Sequence, residues 1–435
     1  MNRKLKELLK SFAIVVLIFN GIFLAYKSEV FNEFLAEADL PGILAIYFKN
    51  GEQVGNSGNM NTENGDVDVA AKPVVMAVIG DVGARYGAKC DEAQLDSLYE
   101  STVNIVGEAL GSARLPESCS EEEWREALTR SGVYWDYQVE LPITSLIKWL
   151  GMSTLNDNRD YADRFAVVIG EHGGVDVYYA NSEGYRKCGT AAVADSIGGV
   201  MQTFLPNGAY FAFESEELGD MVAPYTLILP EISDKNIVAA ENIAENERVV
   251  ERTAELLGIS LLGGTSYSEK NGTMVYVGVN GIMRIQPDGE LNYSVTDYDY
   301  TDTEGEIKVD DGQLIENAYQ LISDIRSNYS GIENVYFSGI EKFADGRVSV
   351  NFNYFIDGTE VVPRRGDGAS VVYENGRMVS LSIWMHSYSA TDEKANLLPE
   401  LQAAAIAGGL EKNGSLSLVY YDDSNSVVMP AWTVE

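Results

Sequence analysis

Hydrophobic and polar positions alternate along several stretches in the second half of the chain. The clearest stretch runs from Val348 to Ile356, where apolar residues at every second position are separated mostly by polar ones. This period of two is typical of a strand with one buried and one solvated face. Asn-Gly or Asp-Gly pairs interrupt the alternation at 271–272, 280–281, 288–289, 357–358 and 375–376. Because such pairs suit two-residue hairpin turns, the pattern predicts antiparallel meanders.

Apolar residues at helical spacing lie between these strands. They predict helices over residues 91–110, 120–131, 189–204, 240–257, 313–327 and 394–407. The second of these helices begins with a capping box, in which Ser120 is the N-cap and Glu123 is the third helical residue. The alternation of helices with meanders predicts an α+β fold of tandem modules, each with a helix lying across an antiparallel sheet.

An uncharged run of 16 residues, Ser11–Tyr26, follows four basic residues among the first ten. Counted from Leu8, with Lys10 extending its ammonium group to the interface, the run offers 19 positions, close to the length of about 20 that a membrane span needs. Phe23 and Ala25 form a poor cleavage site, which favours an uncleaved signal anchor over a cleaved signal peptide. The basic residues predict a cytoplasmic amino terminus with the bulk of the chain extracytoplasmic.

The length of 435 residues predicts more than one domain, at roughly 100–200 residues each. We expect a cytoplasmic tail at 1–10, a transmembrane signal anchor at 11–26 and an N-terminal α/β domain at 27–138. A middle α+β domain at 139–296 and a C-terminal α+β domain at 297–435 follow.

The net charge of −35 limits which partners the chain can bind. An acidic body repels phosphate, so we expect no nucleic-acid partner, and the same charge keeps an exported domain soluble. Three cysteines are too few for a disulfide scaffold, although a bridge between Cys90 and Cys119 stays open.

Motifs that carry catalytic chemistry are missing from the sequence. The two histidines, His172 and His386, have no partner at metal-ligand spacing, and no HExxH, GxSxG, P-loop or CxxC motif is present. We therefore predict that the chain is not an enzyme and holds neither a metal nor a cofactor. A wall-active hydrolase whose carboxylates are distant in sequence is the rival prediction.

Candidate contact residues are aromatic and basic. Tyr293, Tyr298 and Tyr300 are predicted on or beside a solvated sheet face, where tyrosine supplies contact area at low entropic cost. The pair Arg364-Arg365 is a basic spot on an acidic chain and is predicted to grip a carboxylate of a partner.

The pair Asn20-Gly21 lies inside the uncharged run. A small residue there lets a second transmembrane helix approach closely, so we predict that this pair packs against a partner span.

Six short stretches together resemble the YycH family and its sister YycI. They are Tyr225–Pro230, Leu257–Ile259, Asn271–Tyr276, Met283–Tyr293, Gly346–Phe352 and Val428–Trp432. The resemblance covers residues 140–435, and its motifs are strand and turn patterns.

Members of these families are single-span, extracytoplasmic proteins of monoderm bacteria. They associate with each other and with a membrane sensor histidine kinase that controls cell-wall homeostasis, and they modulate its activity. The resemblance thus implies a membrane-anchored regulator whose partners are the membrane, a sensor histidine kinase of a two-component system and a sister regulatory protein, with no catalytic residues. The alternative is an extracytoplasmic binding module for a peptide or a cell-wall polymer.

Overall fold

The computed structural model describes residues 72–80, 83–156, 158–170, 173–218, 221–261, 265–296, 309–410 and 412–434. The predicted anchor at 11–26 lies outside these ranges, as do Asn20, Gly21, Tyr298 and Tyr300. Within the described ranges, no helix is long and apolar enough to cross a membrane. All of these residues belong to one compact unit, Thr62–Glu435.

The described ranges contain seven α-helices and three sheets of three or more strands. The helices are α1 (Glu92–Gly111), α2 (Glu121–Ala127), α3 (Ile143–Trp149), α4 (Ala194–Met201), α5 (Glu247–Leu256), α6 (Asp311–Arg326) and α7 (Glu400–Leu410). The strands are β1 (Val75–Ile79), β2 (Arg85–Lys89), β3 (Glu117–Cys119), β4 (Gly132–Pro142), β5 (Tyr161–Ile169), β6 (Gly174–Asn181), β7 (Gly184–Val193), β8 (Tyr210–Phe211), β9 (Leu227–Ile228), β10 (Asn236–Asn242), β11 (Thr265–Ser268), β12 (Met274–Val277), β13 (Gly281–Ile285), β14 (Glu290–Val295), β15 (Asn334–Lys342), β16 (Arg347–Ile356), β17 (Thr359–Pro363), β18 (Ala369–Glu374), β19 (Arg377–Trp384), β20 (His386–Lys394), β21 (Leu416–Asp422), β22 (Val427–Val428) and β23 (Pro430–Val434).

The first large sheet has seven antiparallel strands in the order β2-β1-β4-β5-β6-β7-β3. Helix α1 packs on it, because its buried residues Leu95, Leu98, Thr102 and Val106 recur at helical spacing. The Asp91 carboxylate caps this helix by accepting a hydrogen bond from the Gln94 amide at 3.0 Å. The domain boundary predicted at 138–139 falls inside β4, so this sheet contains residues from both sides of it.

The second large sheet has eleven strands and runs β11-β12-β13-β14-β19-β18-β16-β17-β21-β23, with β15 paired to β16. Its pairs are antiparallel except β17 with β21. Strand β14 pairs with β19, so the predicted boundary at 296–297 separates strands that lie side by side in one sheet. Helix α6 packs across β15, β16 and β18, as the apolar spacing predicted.

The tight turns match the sequence pattern. Asp357 and Gly358 have φ angles of 50° and 68°, and Asn375 and Gly376 have 49° and 75°. Two successive positive φ values define the turn that favours Asn-Gly and Asp-Gly in hairpins. The capping box of α2 is likewise present, with Ser120 and Glu123 bonded reciprocally.

Helix boundaries differ from the predictions by the largest margin at three places, each of them the start of a helix. Residues 236–242 form β10, and the helix predicted from 240 begins at Glu247 instead, because β10 pairs on both sides with β20 and β22. Strand β7 extends to Val193 before α4 begins. Helix α7 begins only after Pro399, since proline disfavours a helical conformation at the residue before it.

The three cysteines, Cys90, Cys119 and Cys188, have free thiols. The bridge between Cys90 and Cys119 that the sequence left open is therefore not formed in this structure.

Candidate functional site

The predicted basic pair lies in the connection between β17 and β18. The Asp288 carboxylate forms ion pairs with both arginines, since its Oδ2 lies 3.3 Å from Arg364 Nη2 and 2.6 Å from Arg365 Nη2. Arg365 also donates to Glu290 Oε2 at 2.8 Å. The basic spot is thus compensated by carboxylates of the chain itself.

Asp288 occupies the hairpin turn between β13 and β14. The next residue, Gly289, has a φ of 91°, and a Cβ there would lie 2.8 Å from Asn242 Oδ1 and 3.0 Å from His386 Cδ2. Only glycine meets both the backbone and the space requirements of this position. The turn that carries Asp288 therefore packs directly against His386.

The imidazole of His386 is buried between two acceptors. Its Nδ1 lies 2.7 Å from Asp422 Oδ2, and its Nε2 lies 3.0 Å from the backbone oxygen of Asp288. Each ring nitrogen thus faces an oxygen, a carboxylate on one side and a backbone carbonyl on the other. His386 is the link between the Asp288 turn and the end of β21.

Asp422 has no solvent exposure, and its carboxylate accepts further hydrogen bonds. Its Oδ2 accepts from Trp384 Nε1 at 2.8 Å and from the Tyr388 hydroxyl at 2.6 Å, and its Oδ1 accepts from the Ser424 amide at 2.8 Å. Burial alone raises the pKa of Asp422, but the hydrogen bonds from His386, Tyr388 and Trp384 outweigh it, so the pKa is lower than usual.

Burial and the neighbouring Asp422 carboxylate raise the pKa of Tyr388 well above its ordinary value. The phenol therefore stays protonated and donates to an ionised carboxylate at neutral pH. We call Asp288, Trp384, His386, Tyr388 and Asp422 the polar centre. No sequence motif marked it, since Asp422 is one acidic residue among many and His386 has no partner at short spacing.

Tyr293, the third contact residue within the described ranges, lies on β14. Its side chain is 5 % exposed, and a Cβ at Gly281 would lie 2.5 Å from its ring. Burial raises the pKa of Tyr293. The structure thus places this ring in the core and not on the solvated face that the sequence predicted.

An apolar groove lies on the surface between α7 and β23. It has a volume of about 310 Å³. The lining residues share a lack of charge and are Asn396, Leu397, Leu398, Ala403, Ile406, Ala407, Leu410, Leu416, Pro430, Ala431, Trp432, Thr433 and Val434. Ile406 and Leu410 are 56 % and 78 % exposed. We call this feature the groove.

Sequence reasoning missed the groove, although a signal was present. Helix α7 reads Glu-Leu-Gln-Ala-Ala-Ala-Ile-Ala-Gly-Gly-Leu, with apolar residues on every side. A helix that is apolar all round is normally covered on every side, so a covering partner is expected where the fold does not supply one.

A smaller cavity of about 140 Å³ lies between the two large sheets. Its two cationic side chains both face carboxylates: Lys89 Nζ lies 2.5 Å from Glu400 Oε1, and Arg164 Nε lies 3.6 Å from Asp136 Oδ2. Lys89 and Glu400 tie the start of α7 to the first sheet. The charges that line this cavity are thus compensated within the chain.

The side chains of the described ranges include no group of three or more His, Cys, Asp or Glu residues placed to hold a metal ion.

These elements define a mixed α/β protein built on large antiparallel sheets, with a buried polar centre and an uncharged groove. The fold is similar to that in the crystal structure of YycH from Bacillus subtilis, with a TM-score of 0.52 and 13 % sequence identity. The match covers 84 % of this chain and 94 % of that chain. At the level of the fold, it confirms the resemblance noted in the sequence. No protein-family model and no curated protein matches the chain.

Proposed function

We propose that the chain is a membrane-anchored, extracytoplasmic regulator that binds and modulates a sensor histidine kinase of a two-component system controlling cell-wall homeostasis. The uncharged run Ser11–Tyr26 is the anchor in this proposal, and the amino terminus is cytoplasmic. A sister regulatory protein is a second partner, as the family resemblance implies.

The groove is the observation that carries the proposal. Exposed apolar patches on a soluble domain mark surfaces that bind another molecule. On a chain of net charge −35, an uncharged surface of this kind suits a contact with a protein. The likeness to YycH supports a regulator among the protein-binding functions.

A regulator of this kind acts through differential affinity. If the chain binds one signalling state of the kinase more tightly than the other, it shifts the population toward that state by the difference in binding free energy. The hydrogen bonds of His386 join the Asp288 turn to the end of β21, which supports a defined surface on this sheet.

The test is co-purification from membranes with the kinase. Replacing residues 8–26 with an unrelated span should reduce recovery of the kinase while the chain stays in the membrane. A matched span in which only Asn20 and Gly21 are changed to leucine separates close helix packing from simple anchoring. Unchanged recovery with both replacements removes the span from the proposal, and failure of the intact chain to recover any histidine kinase contradicts the proposal itself.

A further inference from the structure

Strand β23 is an edge of the second large sheet. It pairs with β21, and no other described strand pairs with it. Its residues are Pro-Ala-Trp-Thr-Val, without a charge. Sheet edges are usually protected by charged side chains, proline or bulges, and β23 has only Pro430 at its start. No described strand thus uses the backbone groups on the outer side of β23.

Helix α7 flanks this edge and forms the opposite wall of the groove. All five residues of β23 line the groove, so the open edge and the apolar wall face the same space. An edge strand beside an apolar helix is the arrangement in which proteins capture an extended peptide as an added strand. Main-chain hydrogen bonds then supply affinity, and alternate side chains enter the groove.

The charge of the chain limits which molecules can occupy the groove. The lining is uncharged, whereas the chain as a whole carries −35. A second copy of the chain and an anionic lipid surface are both repelled by that charge. The acidic chain attracts a segment that has an apolar centre and basic ends. The apolar centre can enter the groove while the basic ends stay in water, so no charged group is desolvated.

We propose that the groove binds an extended, apolar segment of a partner protein, flanked by Lys or Arg, which adds to β23 as a strand. Five residues of β23 pair with a segment of about 17 Å, at a rise of about 3.4 Å per residue. The identity of the partner rests on the function proposed above, whereas the mode of binding does not.

The probe is a labelled peptide with the sequence Lys-Lys-Val-Thr-Leu-Thr-Val-Lys-Lys, added to the full chain in phosphatidylcholine nanodiscs and followed by fluorescence anisotropy. The same peptide with glutamate in place of every lysine should bind about tenfold more weakly, and high salt should reduce the difference. Equal binding of the two peptides, or binding of neither, overturns the proposal.

N-methylation tests strand addition directly. In an added strand, alternate residues direct their amide groups toward the edge. Methylating one alternate set of amides should abolish binding, while methylating the other set should leave it within about twofold of the parent peptide. Equal loss from both sets means that the peptide merely adheres to an apolar surface and contradicts strand addition.

Two surface substitutions locate the site. Ile406→Glu and Leu410→Glu place a charge in the groove and should weaken peptide binding by tenfold or more, at about 1.4 kcal/mol per factor of ten. Leu401→Glu is the matched control, because Leu401 lies on α7, is 45 % exposed and does not line the groove. Unchanged thermal melting of all three variants establishes that they fold.

Other occupants give distinct results. A dimer seen by light scattering and lost in Leu410→Glu assigns the groove to a second copy and overturns the proposal. Binding to anionic vesicles that Leu410→Glu abolishes assigns it to a membrane, with the same consequence. Peptide binding without recovery of a kinase leaves this inference standing and contradicts the function proposed above. Recovery of a kinase without peptide binding does the reverse.

Discussion

The two ends of β21 lie in opposite environments. Leu416, at one end, is 4 % exposed and lines the groove, whereas Asp422, at the other end, has no exposure and lies in the polar centre. Apolar contacts hold Leu416, and hydrogen bonds with defined directions hold Asp422. One strand thus joins an open apolar surface to a closed polar network.

The two ends differ in whether their surface is left uncovered for a partner to bind. At the Asp422 end, the buried carboxylate and the two arginines that the sequence singled out have partners within the chain. The backbone amide of Arg364 donates to the backbone oxygen of Asp422 at 3.0 Å, so the loop that carries the arginines is bonded to β21. At the Leu416 end, apolar atoms remain uncovered. The charges of the Asp422 end are therefore engaged within the fold, whereas the uncharged surface of the Leu416 end is uncovered.

The largest effect is expected for Asp422→Ala. It leaves the donors of Trp384 and Tyr388 and the ring of His386 buried without their acceptor, which costs about 3–5 kcal/mol of unfolding free energy. Urea unfolding measures the loss. Asp423→Ala, at the exposed neighbouring residue, should stay within about 0.5 kcal/mol of the parent. Equal effects of the two would show that the polar centre does not stabilise this end.

Leu416→Ala tests the other end of the strand. Removing a buried leucine costs about 2–3 kcal/mol, toward the lower part of the usual range because the site borders a groove that can relax. The change should also widen the groove and alter peptide binding, which Asp422→Ala should not do in the folded protein. If Leu416→Ala leaves peptide binding unchanged, then the two ends do not differ in function.

The two ends of β21 should differ in how the stability cost of a substitution depends on pH. The pKa of Asp422 is lower in the folded chain than its ordinary value, so its stabilising contribution is complete above the unfolded pKa of about 3.9 and is lost as the pH falls through the folded value. Asp422→Asn should cost about 1.5 kcal/mol at neutral pH and progressively less below about pH 4. Leu416→Ala should cost the same at both pH values, and a parallel pH dependence would contradict the assignment.

The smallest effect is expected for Arg365→Ala. Its pairs with Asp288 and Glu290 are partly exposed, so the change should cost about 0.2–1 kcal/mol. The cost should shrink as salt screens the pairs, which unfolding at low and high ionic strength measures. A loss as large as that of Asp422→Ala would mean that the arginines belong to the buried network.

The tight turns and the helix cap could be predicted from the sequence. The turns at Asp357-Gly358 and Asn375-Gly376 and the capping box at Ser120 depend on neighbouring residues, so the pattern defines them. The strand at residues 236–242 could not be predicted, because its conformation depends on pairing with β20 and β22, far along the chain. Tertiary pairing overrode the local helical spacing there.

The candidate site was harder to predict than the fold. Arg364 and Arg365 attracted attention as rare basic residues, but their partner Asp288 lies in another hairpin and only the folded sheet brings them together. His386 and Asp422 are likewise separated by 36 positions. The groove was foreshadowed by the composition of α7, yet its exposure depends on what the rest of the chain leaves uncovered.

The buried pair of Lys89 and Glu400 has a consequence for how the chain folds. The two residues are 311 positions apart, so the ammonium of Lys89 is compensated only when residues near the end of the chain have been placed. Contacts with such large sequence separation raise the entropic cost of the folding transition state and slow the reaction. We therefore expect the contact between the first sheet and α7 to form late in folding.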